Sequence, residues 1–292
     1  MMLLQFIANG IVNGAIFAIL ALGFGLVYNT THTFHIAYAA IYTTSAYVCY
    51  TLYRITNLPL WLSILGGLIS GVILGCIIEL LVYRPLVKRD APLSVALISS
   101  IGVYIIVINI IALIYGNETK ILLPGIEKTY QLGSVILTQI QVIELIIGIV
   151  VCIAYSLLLR TTNFGKLIRA LADNPNLLSA FGVDIYHVRL QVFALSSLLA
   201  SIAACLVALD VGIDPYVGMP AMLISAVSMI VGGVGIFVSP ALGGLLLGII
   251  QSLAIWKISA RWQDLVTFAI LIIFLLLRPQ GIMGRRRRLE EL

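Results

Sequence analysis

The sequence predicts an all-α, polytopic membrane protein with about eight to nine transmembrane segments, some of them discontinuous. A short helical element on the cytoplasmic side completes the prediction. Three observations carry it. The chain is 61% hydrophobic and 10% charged, whereas soluble domains run at about 25% charged. Apolar runs recur at the length, about 20 residues, that crosses a hydrocarbon layer as a helix. Lysine and arginine are confined to the breaks between those runs, to their end residues and to the C-terminal tail. The alternation of polar and apolar residues that a transmembrane β-barrel requires is absent.

The apolar segments fall at about 3–26, 36–53, 60–83, 93–115, 138–159, 189–209, 219–237, 240–257 and 262–277. The first has no basic stretch before it and no cleavage-like site after it, so it is expected to stay as a helix. The second, FHIAYAAIYTTSAYVCY, is rich in hydroxyls and aromatics; it spans, or is short, broken or re-entrant. The third carries Gly67, Gly71 and Gly75, and the eighth Gly244 and Gly248. Small residues at this spacing let helix backbones approach closely in lipid. Glu144 lies one or two turns into the fifth segment and is expected to reach out to the interface, as Glu79 is expected to pair with an arginine of a cytoplasmic loop. Around VGGVGIFVSPALGG, Gly232, Gly233, Gly235 and Pro240 interrupt the helix. Either a broken helix lines a path there, or two helices meet in a tight turn. One transmembrane domain, residues 1–292, accounts for the chain.

The basic residues orient it. Arg84, Lys88 and Arg89, then Arg160, Lys166, Arg169 and Arg189, then Arg278 and Arg285 to Arg288 make twelve of the seventeen. Arg54, Lys120, Lys128, Lys257 and Arg261 fall in the other loops. The positive-inside rule places the larger set, and the C-terminus, in the cytoplasm. The N-terminus lies outside if 36–53 spans and inside if it does not.

The cytoplasmic loop 160–188 contains TTNFGKLIRALADNPNLLSAFGVD, which does not match the oil around it. Lys166 to Asp173 fits a helix with Leu167, Ile168 and Leu171 on one face. Asn174 is placed as an N-cap and Pro175 as the first residue of a second helix. Gly182 is placed to end that helix in the left-handed conformation. Two short amphipathic helices with a sharp joint result. Three roles fit them: a headgroup-level helix, a solvated loop, or a docking element for a cytoplasmic partner.

Other chemistry is poorly supplied. Cys49, Cys76, Cys152 and Cys205 are scattered in apolar runs without metal-ligand or redox spacing. His32 and His35 lack a third ligand nearby, so no metal site is expected. An intramembrane enzyme needs paired carboxylates, a metal set or an activated nucleophile; twelve acidic residues, nearly all in loops or at ends, do not provide them. The same shortage disfavours an ion-coupled secondary transporter. Tyr38, Tyr42, Ser99, Ser100 and Asn109, with Gly232 and Gly233, are candidates to line a polar path; for the polar ones the alternative is helix-to-helix hydrogen bonding. Nucleic acid is not expected as a partner.

The pattern Gly165-x-x-x-Arg169-Ala170 … Ala180-x-Gly182-Val183 resembles the coupling loop of ABC importer permeases, and more narrowly the LivH-type permeases of branched-chain amino acid uptake. IIELLVYRPL (77–86), LISSIGVYIIVIN (97–109), DPYVG (214–218), VGGVG with ALGGLLLG, and LLLRPQGIMG (275–284) follow in the family's order. The resemblance implies a cytoplasmic coupling helix within 160–188, contacting an ATPase through Gly165, Arg169, Ala170, Asp173, Ala180 and Gly182. It implies two ATPase subunits, a second permease (a LivM-type partner or a copy of this chain) and an extracytoplasmic solute-binding protein, in a bacterial plasma (inner) membrane. The chain has no Gly-rich phosphate loop followed by Lys-Ser/Thr. ATP and Mg would therefore sit on the partner chains, with no cofactor and no enzymatic activity here. The implied cargo is a branched-chain amino acid, or else another amino acid, urea or a short amide.

Two departures from the family pattern stand out. Where its members show Asn-Phe-Ala-His-Gly-Glu, this chain has His35-Ile36-Ala37-Tyr38-Ala39-Ala40, and where many carry a lysine early in the seventh segment it has Ile224. The tail Arg285–Arg288 is left two roles, ATPase contact or anionic lipid.

Overall fold

The computed structural model describes residues 2–123, 128–133, 135–257, 259, 262–278 and 280–284. The tail arginines Arg285 to Arg288, and Arg261, lie outside them. Among the described residues, six helices are long and apolar enough to cross a membrane. They are α1 (Met2–Thr31), the run Leu60–Lys88, α5 (Leu93–Tyr115), α6 (Gln139–Thr161), α9 (Ile185–Asp210) and α11 (Ser239–Lys257). The run Leu60–Lys88 comprises α3 (Leu60–Ile78), a π-helical turn (Glu79–Tyr83) and α4 (Arg84–Lys88). Two shorter helices, α10 (Gly218–Gly232) and α12 (Gln263–Leu277), are also apolar. The sequence segment 36–53 becomes α2 (Tyr38–Tyr50), extended by a π-helical turn to Ile55. It is not among the six, because α2 is only 13 residues long and hydroxyl side chains lower the hydropathy of α2 and its extension.

The chain divides into two compact units. Unit 1 holds residues 1–25, 128–152 and 223–292. Here α1 and α11 touch backbone to backbone. A Cβ at Gly10 would lie 2.8 Å from the Ile249 Cα, and one at Gly244 would lie 2.6 Å from the Phe17 carbonyl carbon. A Cβ at Gly248 would fall on the backbone of Gly14. Glu144 is buried here rather than reaching the interface; a carboxylate lacks the long stem that lets lysine and arginine snorkel.

The interrupted stretch after α10 is a tight turn between helices. α10 ends at Gly232 and α11 starts at Ser239, whose hydroxyl donates to the Gly233 carbonyl at 2.6 Å. The segment 280–284 clasps this turn: Ile282 N donates to Val231 O at 2.9 Å and Met283 N to Gly232 O at 3.1 Å. Gly233 (φ 121°) and Gly281 (φ 73°) allow the approach, since both lie in the left-handed region. One element departs from the all-α expectation. β1 (Thr129–Leu132) and β2 (Val135–Thr138) form an antiparallel hairpin. Gln5 holds its edge, donating to Ile136 O at 2.7 Å and accepting from Ile136 N at 2.8 Å. These short strands lie at the edge of a long apolar segment, where helical periodicity masks them.

Unit 2 holds residues 26–127 and 153–222. Its centre is α2, α3 and α9. A Cβ at Gly67 would sit 2.8 Å from Ser45 O and 2.9 Å from Cys205 Sγ; at Gly71 and Gly75 it would strike the Ser201 and Ser197 hydroxyls. Those hydroxyls are satisfied within α9, Ser197 donating to Phe193 O and Ser201 to Ser197 O, each at 2.7 Å. Ser45 and Ser201 also meet Oγ to Oγ at 2.8 Å. The glycine spacing read from the sequence thus marks real helix seams in both units. The DPYVG stretch is a turn in which Asp214 accepts from Tyr216 N at 2.8 Å, and Gly218 abuts the Ala39 carbonyl.

These seams predict a graded series. Gly248→Leu and Gly75→Val should each lower the Tm in detergent, since overpacking costs about 1–3 kcal/mol and the added atoms meet the Gly14 backbone in one case and the buried Ser197 side chain in the other. Gly102→Ala, where nothing lies within 4 Å of an added Cβ, should be neutral or stabilising by about 0.5–1 kcal/mol. Fluorescence-detected thermal melts read the order directly.

Candidate functional site

Helix α1 stops because Thr30 and Thr31 turn their hydroxyls back on Leu26 O and Val27 O, each at 2.8 Å, and His32 adopts φ 54°. The non-helical stretch to Ala37 delivers His35 into the interior of unit 2, where it is 1% exposed. His35 Nδ1 meets the Tyr83 hydroxyl at 2.8 Å; Tyr83 donates to Ser100 Oγ at 2.9 Å; and Ala37 N donates to the same oxygen at 2.8 Å. With the Tyr83 proton directed at Ser100, Nδ1 is the donor to Tyr83. That leaves Nε2, buried and without a hydrogen-bond partner among the described residues, as does the Tyr155 hydroxyl. The imidazole is packed edge-on by Tyr38, Tyr83 and Phe193, with ring centroids 6.1, 5.4 and 5.2 Å away. Tyr42 and Tyr155 lie within electrostatic reach of the Tyr38 hydroxyl. The result is a buried hub of hydroxyls, one imidazole and aromatic faces, drawn from five helices and the stretch after α1.

Of the residues proposed to line a polar path, Tyr38, Tyr42 and Ser100 are buried in or beside this hub. Ser99 is half-buried. Asn109 is exposed on α5 and donates to its own helix, at Ile105 O, 2.7 Å. Gly232 and Gly233 belong to the clasped turn of unit 1. Tyr83 and Tyr155 escaped the sequence reading. Tyr83 had a visible signal, its place in IIELLVYRPL; Tyr155, alone in an apolar helix, had none. His32 is exposed and His35 buried, so the two histidines do not share a face. Among the described residues no three His, Cys, Asp or Glu side chains gather as metal ligands.

The hub is tied to the loop 160–188 through one element. Tyr83 closes the π-helical turn that begins with Glu79. Glu79 accepts from Arg189 Nε at 2.9 Å and from its Nη2 at 3.5 Å, with both residues buried. This is the predicted pairing of Glu79 with a loop arginine. Arg189 stands in the first turns of α9, which follows the loop directly.

That loop folds as α7 (Asn163–Asp173) and α8 (Pro175–Ala180). Thr162 caps α7 by accepting from Gly165 N at 3.1 Å, Asn174 caps α8 by accepting from Leu177 N at 3.0 Å, and Asp184 caps α9 by accepting from Tyr186 N at 2.9 Å. Gly182 ends the pair at φ 81°. Each cap satisfies backbone donors that a helix start leaves open. Gly165 presses on the Leu159 backbone with no room for a Cβ, and Arg169 donates to the Leu159 carbonyl. These two residues therefore fasten α7 to the end of α6. The inner face, Ile168, Leu171, Leu178 and Val188, is buried. Ala170, Asp173, Ala180 and Gly182 are exposed, together with Leu177 (55%) and Phe181 (79%).

Among the described residues, six helices of membrane-crossing length, a buried polar hub and a capped two-helix element give the chain the build of a polytopic membrane protein. The chain belongs to the family described as "Branched-chain amino acid transport system / permease component", which it matches over residues 6–275. It is 28% identical to the high-affinity branched-chain amino acid transport system permease protein LivH of Salmonella typhimurium, over 97% of this chain and 96% of that one. To the corresponding BraD protein of Pseudomonas aeruginosa it is 27% identical, over 97% and 96%. Its fold is similar to a chain of PsaBC from Streptococcus pneumoniae in complex with Fab, with a TM-score of 0.52 at 13% identity over 94% of this chain and 93% of that one.

The buried ion pair makes a double-mutant prediction. Glu79→Gln or Arg189→Met alone should destabilise by about 3–5 kcal/mol, because each leaves an uncompensated buried group. The double variant should recover most of that loss. Thermal melts of the three variants give the coupling energy.

Proposed function

We propose that this chain is the membrane-spanning subunit of an ABC importer for branched-chain amino acids, working by alternating access driven by ATP hydrolysis on partner subunits. The observation that carries the reading is the lever: two capped helices anchored on one face and bare on the other, joined by Glu79–Arg189 to the turn that holds Tyr83. In the proposed cycle the exposed face, with Ala170, Asp173, Ala180, Leu177 and Phe181, seats in a cleft of a cytoplasmic ATPase. Gly165 and Arg169 keep the lever rigid against α6, and Gly182 sets its end. Closure of the two ATPases around ATP and Mg moves the lever, and Arg189 passes the movement to the π turn. Tyr83 then shifts against His35 and Ser100, opening the hub to one side or the other. The chain acts as a non-enzymatic membrane component; a second permease, LivM-type or a second copy, completes the pathway. In this reading the lever and the C-terminus face the cytoplasm of a bacterial plasma membrane, by the lysine and arginine distribution, and an extracytoplasmic binding protein delivers the solute.

The hub suits a weak, transient site. Tyrosine faces attract an ammonium, and His35 Nε2 and the Tyr155 hydroxyl are uncommitted groups to which a polar solute can bond. A second reading, the same machinery for other amino acids, urea or a short amide, is favoured by one observation: His35, Tyr38 and Ala40 replace the family's Asn, His and Glu at this very hub.

Uptake of labelled leucine and labelled urea, measured side by side in cells with and without the chain, separates the two. Loss of leucine uptake alone supports the first; loss of urea uptake alone supports the second; loss of neither removes both cargoes. The lever has its own test. Phe181→Asp changes a 79% exposed side chain, so Tm should hold while ATP-driven uptake and ATPase co-purification fall at least tenfold. Undiminished uptake would remove the docking role.

A further inference from the structure

The cytoplasmic end of the Leu60–Lys88 helix carries a feature that neither the hub nor the lever uses. A cleft of about 530 Å³ is lined by Leu80, Arg84, Pro85, Lys88 and Arg89. Three of these five residues are cationic, and among the described residues none forms an ion pair with a carboxylate. Glu79 lies within electrostatic reach of Arg84, but its oxygens bind Arg189. Arg84 Nε is buried and has no hydrogen-bond partner among the described residues. The guanidinium is held in place over the Tyr186 ring, 4.9 Å from its centroid, with Lys88 Nζ 5.5 Å from the same ring. Two cations share one aromatic platform, and each retains donors for an anion.

Apolar surface beside the cleft, of the kind α5 and α6 also expose, puts the cations at the end of a row that acyl chains can cover. Ile69, Ile73, Ile77 and Leu81 recur every fourth residue on this helix and are 58, 52, 42 and 73% exposed. This row leads along the membrane-crossing helix to the cationic cleft. An apolar stripe ending in a cluster of phosphate-binding cations has the polarity of a phospholipid: acyl chain along the stripe, headgroup phosphate in the cleft. An acidic loop of a protein partner would use the cations alone, whereas a lipid uses the cations and the row together. We infer that this cleft is a binding site for the phosphate of an anionic phospholipid, with Arg84 and Lys88 as its principal donors. Arg84 immediately follows the π turn that bears Glu79 and Tyr83, so a bound headgroup would brace the joint where α3 meets the start of α9.

The test is native mass spectrometry of the full chain, alone or with the subunits that co-purify. The protein is titrated with phosphatidylglycerol or phosphatidylcholine of matched acyl chains. Retention of phosphatidylglycerol should exceed that of phosphatidylcholine and fall about fivefold for each cation removed, in Lys88→Gln and then in Arg84→Gln/Lys88→Gln. The charge-matched control Arg160→Gln/Lys166→Gln, at exposed positions of the other cytoplasmic loop, should leave retention unchanged. If the double variant does not fold, Lys88→Gln, at an exposed side chain, carries the comparison. Equal retention of the two lipids, or an equal fall in the control, overturns the proposal. So does full displacement by inorganic phosphate, which would make the ligand a free anion. Unchanged lipid retention with loss of a co-purifying subunit would assign the cleft to a protein contact and equally overturn it.

Discussion

The arrangement of unit 2 hangs on one buried ion pair. Glu79 and Arg189 are both removed from water, and a charge so placed is tolerable only when its partner is present and its remaining lone pairs or protons are satisfied. Arg189 meets Glu79 with Nε at 2.9 Å and Nη2 at 3.5 Å, so the pair fixes both separation and orientation. Its consequence is mechanical. Glu79 opens the π-helical turn that ends in Tyr83, and Arg189 opens the helix that follows the lever. A π turn inside an α-helix is unfavourable on its own terms and persists where surrounding contacts specify it, often at functional sites. Here the contacts are identifiable, one charged at its start and one hydroxyl at its end.

Around that pair, packing follows the physics of helices in lipid. No hydrophobic force drives two apolar helices together when the surrounding solvent is itself apolar. Dispersion contacts and hydrogen bonds must do it, and both need short distances. Gly67, Gly71 and Gly75 supply the distance in unit 2, and Ser45, Ser197 and Ser201 supply hydroxyls already satisfied by their own helices. Unit 1 reaches the same end with Gly10, Gly14, Gly244 and Gly248. The units thus differ in fittings but share a device, glycine seams on one long helix pressed against another.

Much of this was legible in the sequence, for reasons that differ by element. Long apolar helices declare themselves through length and composition, so α5, α6 and α11 begin and end within a few residues of their expected bounds. Caps are local chemistry, and Asn174, Pro175 and Gly182 do what their residue types dictate. The glycine turn after α10 was visible as an interruption, yet what fills it was not. The clasp comes from Gly281 to Gly284, some fifty residues downstream, and no local pattern announces a partner so distant. The hub was half visible for the same reason. Tyr38, Tyr42 and Ser100 stood out as hydroxyls among hydrocarbon, whereas Tyr83 joins them only because a π turn rotates it inward. Asn109 stood out equally and turns out to serve its own helix. Polarity in an apolar run marks a residue that must find a partner; it does not say whether that partner is remote or four residues away.

The chemistry of the hub bears on how a lever could work it. Had the hub been built on ionised side chains, every conformation of a transport cycle would need a counter-charge at the same place, since stranding a charge costs several kcal/mol. Hydroxyls and an imidazole are more forgiving. A serine or tyrosine hydroxyl donates and accepts through a rotating proton, so Tyr83 can trade one partner for another without a charge being stranded. The formal charge lies instead at Glu79, at the other end of the same turn, paired with Arg189 of α9. In the proposed cycle, the group that stays paired and the groups that exchange partners sit at opposite ends of one five-residue turn. On that arrangement His35, Tyr38 and Ala40 place no carboxylate at the hub, while the far end of the turn keeps its carboxylate paired with Arg189.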